Sequence, residues 1–554
     1  MSRARYLTFA LTAACIYSQS GAPVFRAGTK LVEVTVTVLD KKGKAVTGLE
    51  AKDFTVLDDG KSRQVAVFRF DGAPAAATAT ASAEVARAPK LPPGFVTNRA
   101  ETAADTPRNI AALVLDSLNT PSQESTIARA QMMRYLRELA PHTRVGIFLM
   151  GKQLRVVHDF TDDAASLRAR LAKASIGMPV NEVTDYSRSI VEAEAFVDMF
   201  AGDPTVQKMM EEMMRQQLEV ESMANAQARR YRLETSLAAM EALGKHLAGI
   251  PGRKNLIWIG GGFSMVSITG SMGMGPRGGV EDYESMVRDT SRKLAQQGVI
   301  LYIVDSKGIT LPSDQSAASP RPIPVRGRGR FEPQMDTEAA SNDPQPAMQL
   351  MANITGGRYL HNTNDLTVGF KQTSADIEGS YTLGFYLVNE PDDKWHKLKV
   401  KVNHPGVDVR HREGYIAESS NSQPLPWPAE RWATAFSNPV ASTVIPLTAK
   451  CERTANGEVL LSLIVDANAI LITPDGDKYK AELELGIADR TADGTVRTSH
   501  GQFAAAVPAA QLELVKKEGL GYRKQWKPGE GATSLRIIVR DSRTGQYGSL
   551  DVKL

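Results

Sequence analysis

Cysteine is scarce in this chain: 554 residues contain two, Cys15 and Cys451. Cys15 lies in an N-terminal segment that reads as removed on export, so the mature chain keeps one thiol and a framework of internal disulfides is excluded. Cys451 has no conspicuous partner and reads as a packed or free thiol. Net charge is also low. The formal value is +4, and loss of Arg3 and Arg5 with the N-terminal segment leaves about +2, which points to neither nucleic acid nor an anionic membrane. The eight histidines are scattered; His404 and His411 read as surface residues of a β segment. The apolar run from Tyr6 to Tyr17 falls far short of the roughly 20 residues a membrane helix needs, and no later run is long enough.

Signatures of catalysis are missing as well. No segment matches a phosphate loop ending in Gly-Lys-Ser/Thr, a paired-histidine metalloprotease helix or Gly-x-Ser-x-Gly. Gly273-Met-Gly-Pro-Arg-Gly278 has the glycine spacing of a dinucleotide loop, but Pro276 and its surroundings open no helix after a strand. Asp162-Asp163 and Asp392-Asp393 sit in turns and read as solvated pairs. An exported hydrolase with an unrecognised site therefore has no constellation to stand on.

What is present is globular. Hydrophobic residues make up 42% and charged residues 23%, which excludes wholesale disorder, and the length predicts two to four domains. Residues 1–22 read as a secretory signal peptide: Arg3 and Arg5 are the positive start, Tyr6 to Tyr17 the apolar run, and Ser18, Ser20, Gly21 and Ala22 the small residues before cleavage. Thr12-Ala-Ala-Cys15 faintly matches a lipoprotein box, with Thr12 where Leu is usual, so lipid anchoring at Cys15 is a minor alternative. The expected location is periplasmic, cell-surface or secreted.

Residues 30–70 form an N-terminal β unit. Val32, Val34, Val36 and Val38 share one face of a strand, and Asp58-Asp-Gly60 signals a hairpin. So short a unit must pack against something later. Residues 71–105, rich in Ala, Thr and Pro, read as a linker. Over 106–380, continuous apolar runs at Ile110 to Leu115, Val145 to Met150, Leu256 to Ile259 and Val299 to Val304 alternate with helical stretches. One such stretch runs from about Gln123 to Ala140, with Ile127, Ala130, Met133, Leu136 and Ala140 on one face; another runs from about Asp282 to Gln297. This pattern predicts a doubly wound α/β domain with a parallel sheet covered on both faces.

That domain carries a helical insertion at about 175–250. Its methionines Met209, Met210, Met213, Met214 and Met223 read as core packing, with an adaptable binding face as the alternative. A mobile loop is expected at about 308–346, centred on Arg326-Gly-Arg-Gly-Arg330. Residues 381–418 alternate again and are expected to pair with residues 30–70. Residues 436–554, punctuated by Asp475-Gly476, Asp493-Gly494 and Thr544-Gly545, predict a C-terminal β-sandwich.

Asp116 closes the first apolar run, in Leu115-Asp-Ser-Leu-Asn-Thr120. Ligands of open α/β sheets bind beyond the carboxyl ends of the strands. A carboxylate followed by hydroxyl and amide groups can offer oxygens to a hard cation such as Mg²⁺; alternatively, Asp116 caps the turn that follows it. Five segments, in order, resemble the von Willebrand factor type A-related family of acidobacterial exported proteins. They are Gly48-Leu-Glu-Ala-Lys-Asp-Phe54 with Asp58-Asp-Gly60, Leu113-Val-Leu-Asp-Ser-Leu-Asn-Thr120, Pro251-Gly-Arg-Lys-Asn-Leu-Ile-Trp-Ile-Gly-Gly-Gly-Phe263, Thr355-Gly-Gly-Arg358 and Val409-Arg-His-Arg-Glu-Gly-Tyr415. Together they cover most of residues 30–416.

The resemblance implies a type A-like domain with a metal-ion-dependent adhesion site, and recognition of a protein or extracellular-matrix ligand. Asp116 matches the first Asp of that site and Thr120 its second hydroxyl, so these two are the candidate metal ligands, with Mg²⁺ as the implied ion. The site is incomplete. Leu118 replaces a Ser, the later Asp falls at Gly260 or Gly261, and the distant Thr is Thr235 or Thr184. The expected ligand-binding residues are Asp116, Ser117, Asn119 and Thr120, at a rim where a partner reaches the carboxylate. The expected function is a non-catalytic, exported adhesion-type protein. The alternative is a structural cell-envelope protein without metal-dependent binding.

Overall fold

A computed structural model describes residues 31–72, 91, 93–99, 109–137, 143–175, 195–200, 202–263, 265–269, 279–308, 343–362, 366–387, 392–417, 426–454, 456–491 and 496–554. The signal peptide with Cys15, most of the 71–105 segment, Thr184, Gly273 to Gly278 and the Arg326–Arg330 loop lie outside them. The chain opens with β1 (Leu31–Asp40), β2 (Phe54–Asp58), β3 (Lys61–Arg63), β4 (Val67–Phe70) and β5 (Val96–Thr97). The alternation of β1 has its expected consequence: Val34, Val36 and Val38 are fully buried.

Six further strands form the central sheet: β6 (Asn109–Asp116), β7 (Thr143–Met150), β8 (Leu154–Thr161), β9 (Arg253–Gly260), β12 (Val299–Asp305) and β13 (Arg358–Leu360). The short hairpin β10 (Val266–Thr269) and β11 (Gly279–Asp282) stands apart from it. The sheet order is β13-β12-β9-β6-β7-β8. Every neighbouring pair is parallel except β7 and β8, so the parallel sheet carries one antiparallel edge strand. The order grows outward in both directions from β6, which puts the switch point between β6 and β9.

Strand β6 shows why its apolar run is continuous. Ile110, Ala112 and Val114 face one apolar cluster and Ala111, Leu113 and Leu115 the other, so both faces are covered. One side packs α1 (Ser122–Tyr135) and α2 (Ala164–Lys173). The other packs α3 (Pro204–Ala248), α4 (Glu284–Gln296) and α5 (Gln345–Thr355); α6 (Leu366–Glu378) follows β13. Helix α1 differs from expectation. Its buried residues are Ser125, Ala128, Met132 and Tyr135, while Ile127 is exposed. On the buried face the Ser125 hydroxyl donates to the Thr120 carbonyl at 3.3 Å.

β14 (Ser380–Tyr386), β15 (Trp395–Val402), β16 (Val407–His411) and β17 (Gly414–Ile416) return to the N-terminal strands. β1 lies antiparallel between β14 and β16, β4 pairs with β14, and β2 pairs with β15. The α/β layers are thus threaded between two halves of one β module. Past α7 (Ala429–Ser437), β18 (Leu447–Arg453), β19 (Val459–Val465) and β23 (Leu520–Trp526) form one antiparallel sheet. β20 (Thr473–Asp475), β21 (Lys478–Thr491), β22 (Val496–Pro508), β24 (Ala532–Asp541) and β25 (Tyr547–Lys553) form the other, with α8 (Leu512–Glu518) before β23. Leu461 and Leu463 of the first share an apolar cluster with Leu483, Leu485, Ile537 and Val539 of the second. The segment expected to be linker is not free along its whole length: β5 adds to β18, and Asn98 bonds to Ser442, Ile445 and Leu447.

Candidate functional site

The carboxyl edge of the central sheet brings Asp116 at the end of β6 beside Gly260 at the end of β9, at the switch point. The turn after β6 folds back on the carboxylate. Leu118 and Asn119 donate backbone N–H groups to Asp116 Oδ1, each at 3.0 Å. Asn119 Nδ2 donates to Oδ2 at 2.8 Å, and Trp258 Nε1 donates to the same oxygen at 3.0 Å. Asp116 is 0% exposed. Burial pushes its pKa above the ordinary carboxylate range, against the pull of Asn119, Trp258 and Leu118.

The rim placement holds, but the expected access does not: no partner touches this carboxylate without opening the turn. Asp116 is the capping carboxylate of a closed Asx-type turn. The other expected residues are similarly engaged. Ser117 donates its hydroxyl to the Met150 carbonyl at 2.7 Å and is buried. Thr120, also buried, accepts the Gly261 N–H on Oγ1 at 2.9 Å. Leu118, where the adhesion motif has Ser, turns into the apolar cluster under α3. Asn119 alone of the four is half-buried, and its Nδ2 also reaches Ser236 Oγ at 2.8 Å.

Asp116 and Thr120 are therefore adjacent, as a shared metal would require, but N–H donors fill the coordination space around the carboxylate, where a hard cation takes oxygens. Thr235 does not join them; its hydroxyl is exposed and bonds to Tyr231 on its own helix. The α3 hydroxyl that meets the loop is the next residue, Ser236. Gly260 is held to glycine by proximity: a Cβ there would lie 2.8 Å from Asp116 Cβ and 2.9 Å from Thr120 Oγ1. A carboxylate cannot replace it without displacing the loop. Trp258 and Ser236 were not legible as site residues. Trp258 sits inside an apolar strand run, and its only signal is that a buried indole N–H must find an acceptor.

A second carboxylate closes the neighbouring strand. Asp305, at the end of β12, accepts the Tyr359 hydroxyl at 3.0 Å and the Lys307 N–H at 2.9 Å. Glu124 lies close enough that burial and the Asp305 charge raise its pKa, while Lys307 opposes them. Cys451, on β18, is half-buried, and burial pushes its thiol up to about 11, which makes it a poor nucleophile.

A different feature is exposed. The C-terminal half of α3 buries Leu233, Leu237, Met240, Leu243 and Leu247 against the sheet. Between Met209 and Tyr231 the helix projects Met209, Met213, Val220, Met223 and Tyr231 into solvent, each between 46% and 68% exposed. At about 100° per residue these five fall within roughly 80° of arc. They share one exposed face with Gln216 and Gln227, while Met210 and Met214, expected to pack with them, are half-buried. Among the described residues, no helix is long and apolar enough to cross a membrane.

No family model matches the chain, and no curated protein matches it. Solved structures do. An aerotolerance-related membrane protein from Bacteroides fragilis is 12% identical, with 48% of this chain and 98% of that one covered and a TM-score of 0.25. The conserved hypothetical protein BatB from Bacteroides thetaiotaomicron is 14% identical, with 48% and 95% covered and a TM-score of 0.23. Proximal thread matrix protein 1 from the mussel byssus, with a zinc-occupied MIDAS motif, is 8% identical, with 51% and 49% covered and a TM-score of 0.25. Likenesses at these scores carry no functional argument. The α/β architecture rests on the strand order and the two covered faces.

Proposed function

We propose that this chain is an exported, non-catalytic protein-recognition protein with a von Willebrand A-like domain, a C-terminal β-sandwich and a metal-independent recognition surface. The observation that carries the reading is the solvent-facing stripe Met209, Met213, Val220, Met223 and Tyr231 on α3. Flexible thioethers along a helix adapt to a partner's apolar surface. The loop of Asp116, Ser117, Asn119 and Thr120 serves that surface from beneath. Asn119 joins the Asp116 carboxylate to Ser236, so the turn braces the root of α3 at the switch point. Incomplete as an adhesion site, the loop retains its place and supports the helix.

The test is capture of secreted and envelope proteins on the full mature chain, beside a triple variant Met209→Glu, Met213→Glu, Met223→Glu. A saturable partner retained by the wild type and lost by the variant, with the same thermal midpoint for both, supports the reading. A partner held equally by both overturns it. The metal-dependent form of adhesion is read by titrating Mg²⁺ or Mn²⁺ into the chain and into Asp116→Asn. No heat specific to Asp116 is expected; such a heat would restore the cation at Asp116 and Thr120.

A further inference from the structure

Far from the switch point, the β module assembles three potential ligand atoms. Asp58 ends β2, Asp59 occupies the hairpin turn with φ of 47°, and His396 is the second residue of β15. His396 Nδ1 lies 3.1 Å from Asp58 Oδ1 and 3.3 Å from Asp59 Oδ2. One ligand atom from each of the three residues falls within 4.8 Å of the others. Four-coordinate Zn²⁺ with nitrogen and oxygen ligands at about 2.0–2.1 Å has ligand atoms about 3.3 Å apart along each edge. The two separations to Nδ1 already match that edge.

The other side of the imidazole points the same way. Asp392, expected in a solvated pair, faces Nε2 with Oδ1 at 3.0 Å. A carboxylate there can accept the Nε2 proton when Nδ1 ligates a cation between Asp58 and Asp59, the arrangement in which a second carboxylate orients a metal-binding histidine. The ring is also stacked on Tyr415, centroids 5.1 Å apart. Asp58 is anchored through its other oxygen, Oδ2, which accepts from Arg63 at 2.7 Å and from Tyr415 Oη at 3.2 Å, leaving Oδ1 turned to the imidazole. Arg63 and Lys394, the latter 4.0 Å from Asp392, offset part of the negative charge. Asp58 is 1% exposed and Asp59 52%, so the cluster is rooted in the module and open on one side.

We propose that Asp58, Asp59 and His396 bind a divalent transition-metal ion of the Zn²⁺ class, with Asp392 as the positioning residue. An imidazole with two carboxylates favours Zn²⁺ over Mg²⁺ or Ca²⁺, which take all-oxygen sets. The ion ties the β2–β3 hairpin to β15, joining chain segments more than 300 residues apart in sequence. The metal is structural, and its site is separate from both α3 and the Asp116 turn.

The experiment uses the untagged full mature chain, stripped with a chelator and titrated at pH 7.5 with Zn²⁺ by calorimetry and with Co²⁺ by visible absorption. One equivalent of each is expected, with the d–d bands of a four- or five-coordinate cobalt site and a higher thermal midpoint on Zn²⁺ addition. Asp59→Asn, at an exposed position, and His396→Gln should each weaken Zn²⁺ binding at least tenfold. Asp392→Asn should weaken it roughly 10–100-fold, as loss of an orienting carboxylate does. Absence of binding overturns the proposal, as does binding of unchanged affinity in both Asp59→Asn and His396→Gln, which puts the ion elsewhere.

Discussion

Asp116 has four N–H donors and no access to water, so its side chain acts as a structural acceptor. Replacing it with Ala strands the Trp258 and Asn119 donors, and a loss of about 3 kcal/mol or more is expected in chemical denaturation. Gly260→Ala pushes on the same turn from the neighbouring strand and is expected to cost about 1–3 kcal/mol by the same measurement. His411 and Asp376 both contribute to the acid response. His411, expected at the surface, is half-buried. Nδ1–H donates to the Arg412 carbonyl at 2.7 Å, and Nε2 accepts the Val400 N–H at 3.0 Å. Burial lowers its pKa below 6.5, against the Arg412 bond, so the unfolded chain takes up the proton first and stability falls as pH drops below that value. Asp376 is buried, which alone would raise it, but paired hydrogen bonds from Arg358 and Arg410 outweigh burial and hold it below 3.8. Its contribution is whole above 3.8 and lost as pH falls toward the folded value. Denaturant midpoints measured from pH 8 to pH 2 should decline, and Asp376→Asn should make the decline below pH 3.8 smaller than in the wild type.

At the scale of elements, α3 is two helices in energetic terms. Asp203 caps its start by accepting the N–H groups of Thr205 and Val206, and Pro204 occupies the first turn, but among the described residues from there to Tyr231 Ala226 is the one buried apolar side chain. Amide exchange should be faster over 205–225 than over 233–247, where the Leu233-to-Leu247 face lies in the core. Leu237→Ala is expected to cost about 2–5 kcal/mol, whereas Met213→Glu, on the exposed stripe, should change stability by less than about 0.5 kcal/mol. The same mutational pair, read by thermal denaturation, separates the packed root from the presented tip. α3's helicity is plain in the breaker-free run of residues. Which half is buried is not, because Leu and Met occur in both.

Across the molecule, several arginines and a glycine lie at the seams between layers. Arg253, buried at the start of β9, donates to Asn255, to Tyr302 Oη and to Thr37 of β1. Arg358 and Arg410 meet on Asp376, joining β13, β16 and α6. Arg412 reaches the Ala295 and Glu33 carbonyls. Gly357 has no room for a side chain, since a Cβ would lie 1.9 Å from the Leu301 carbonyl oxygen. Residues 106–380 produced alone lose Thr37, Arg410 and Arg412 and are expected to be unstable or insoluble, and calorimetry of the full chain should show the β module and α/β layers melting together. A fragment that folds with the midpoint of the full chain would contradict this coupling. The C-terminal sheets meet α3 where Thr443 bonds to the Gly249 N–H and the Lys245 and His246 carbonyls at the helix end.

Local pattern alone determined a good deal. Uninterrupted apolar runs require strands covered on both faces, alternating valines require a half-covered strand, and Asp116 had to stand at a strand's carboxyl end because the apolar run stops there. Tertiary structure decided what those residues do. Whether the carboxylate met solvent or donors depended on Trp258 and Asn119, one contributed by a strand 142 residues away. Whether methionines were core or surface depended on how far α3 overran the sheet. The physical reason is the same in both cases: periodicity reports which side of an element is apolar, while burial is set by what another part of the chain lays against it.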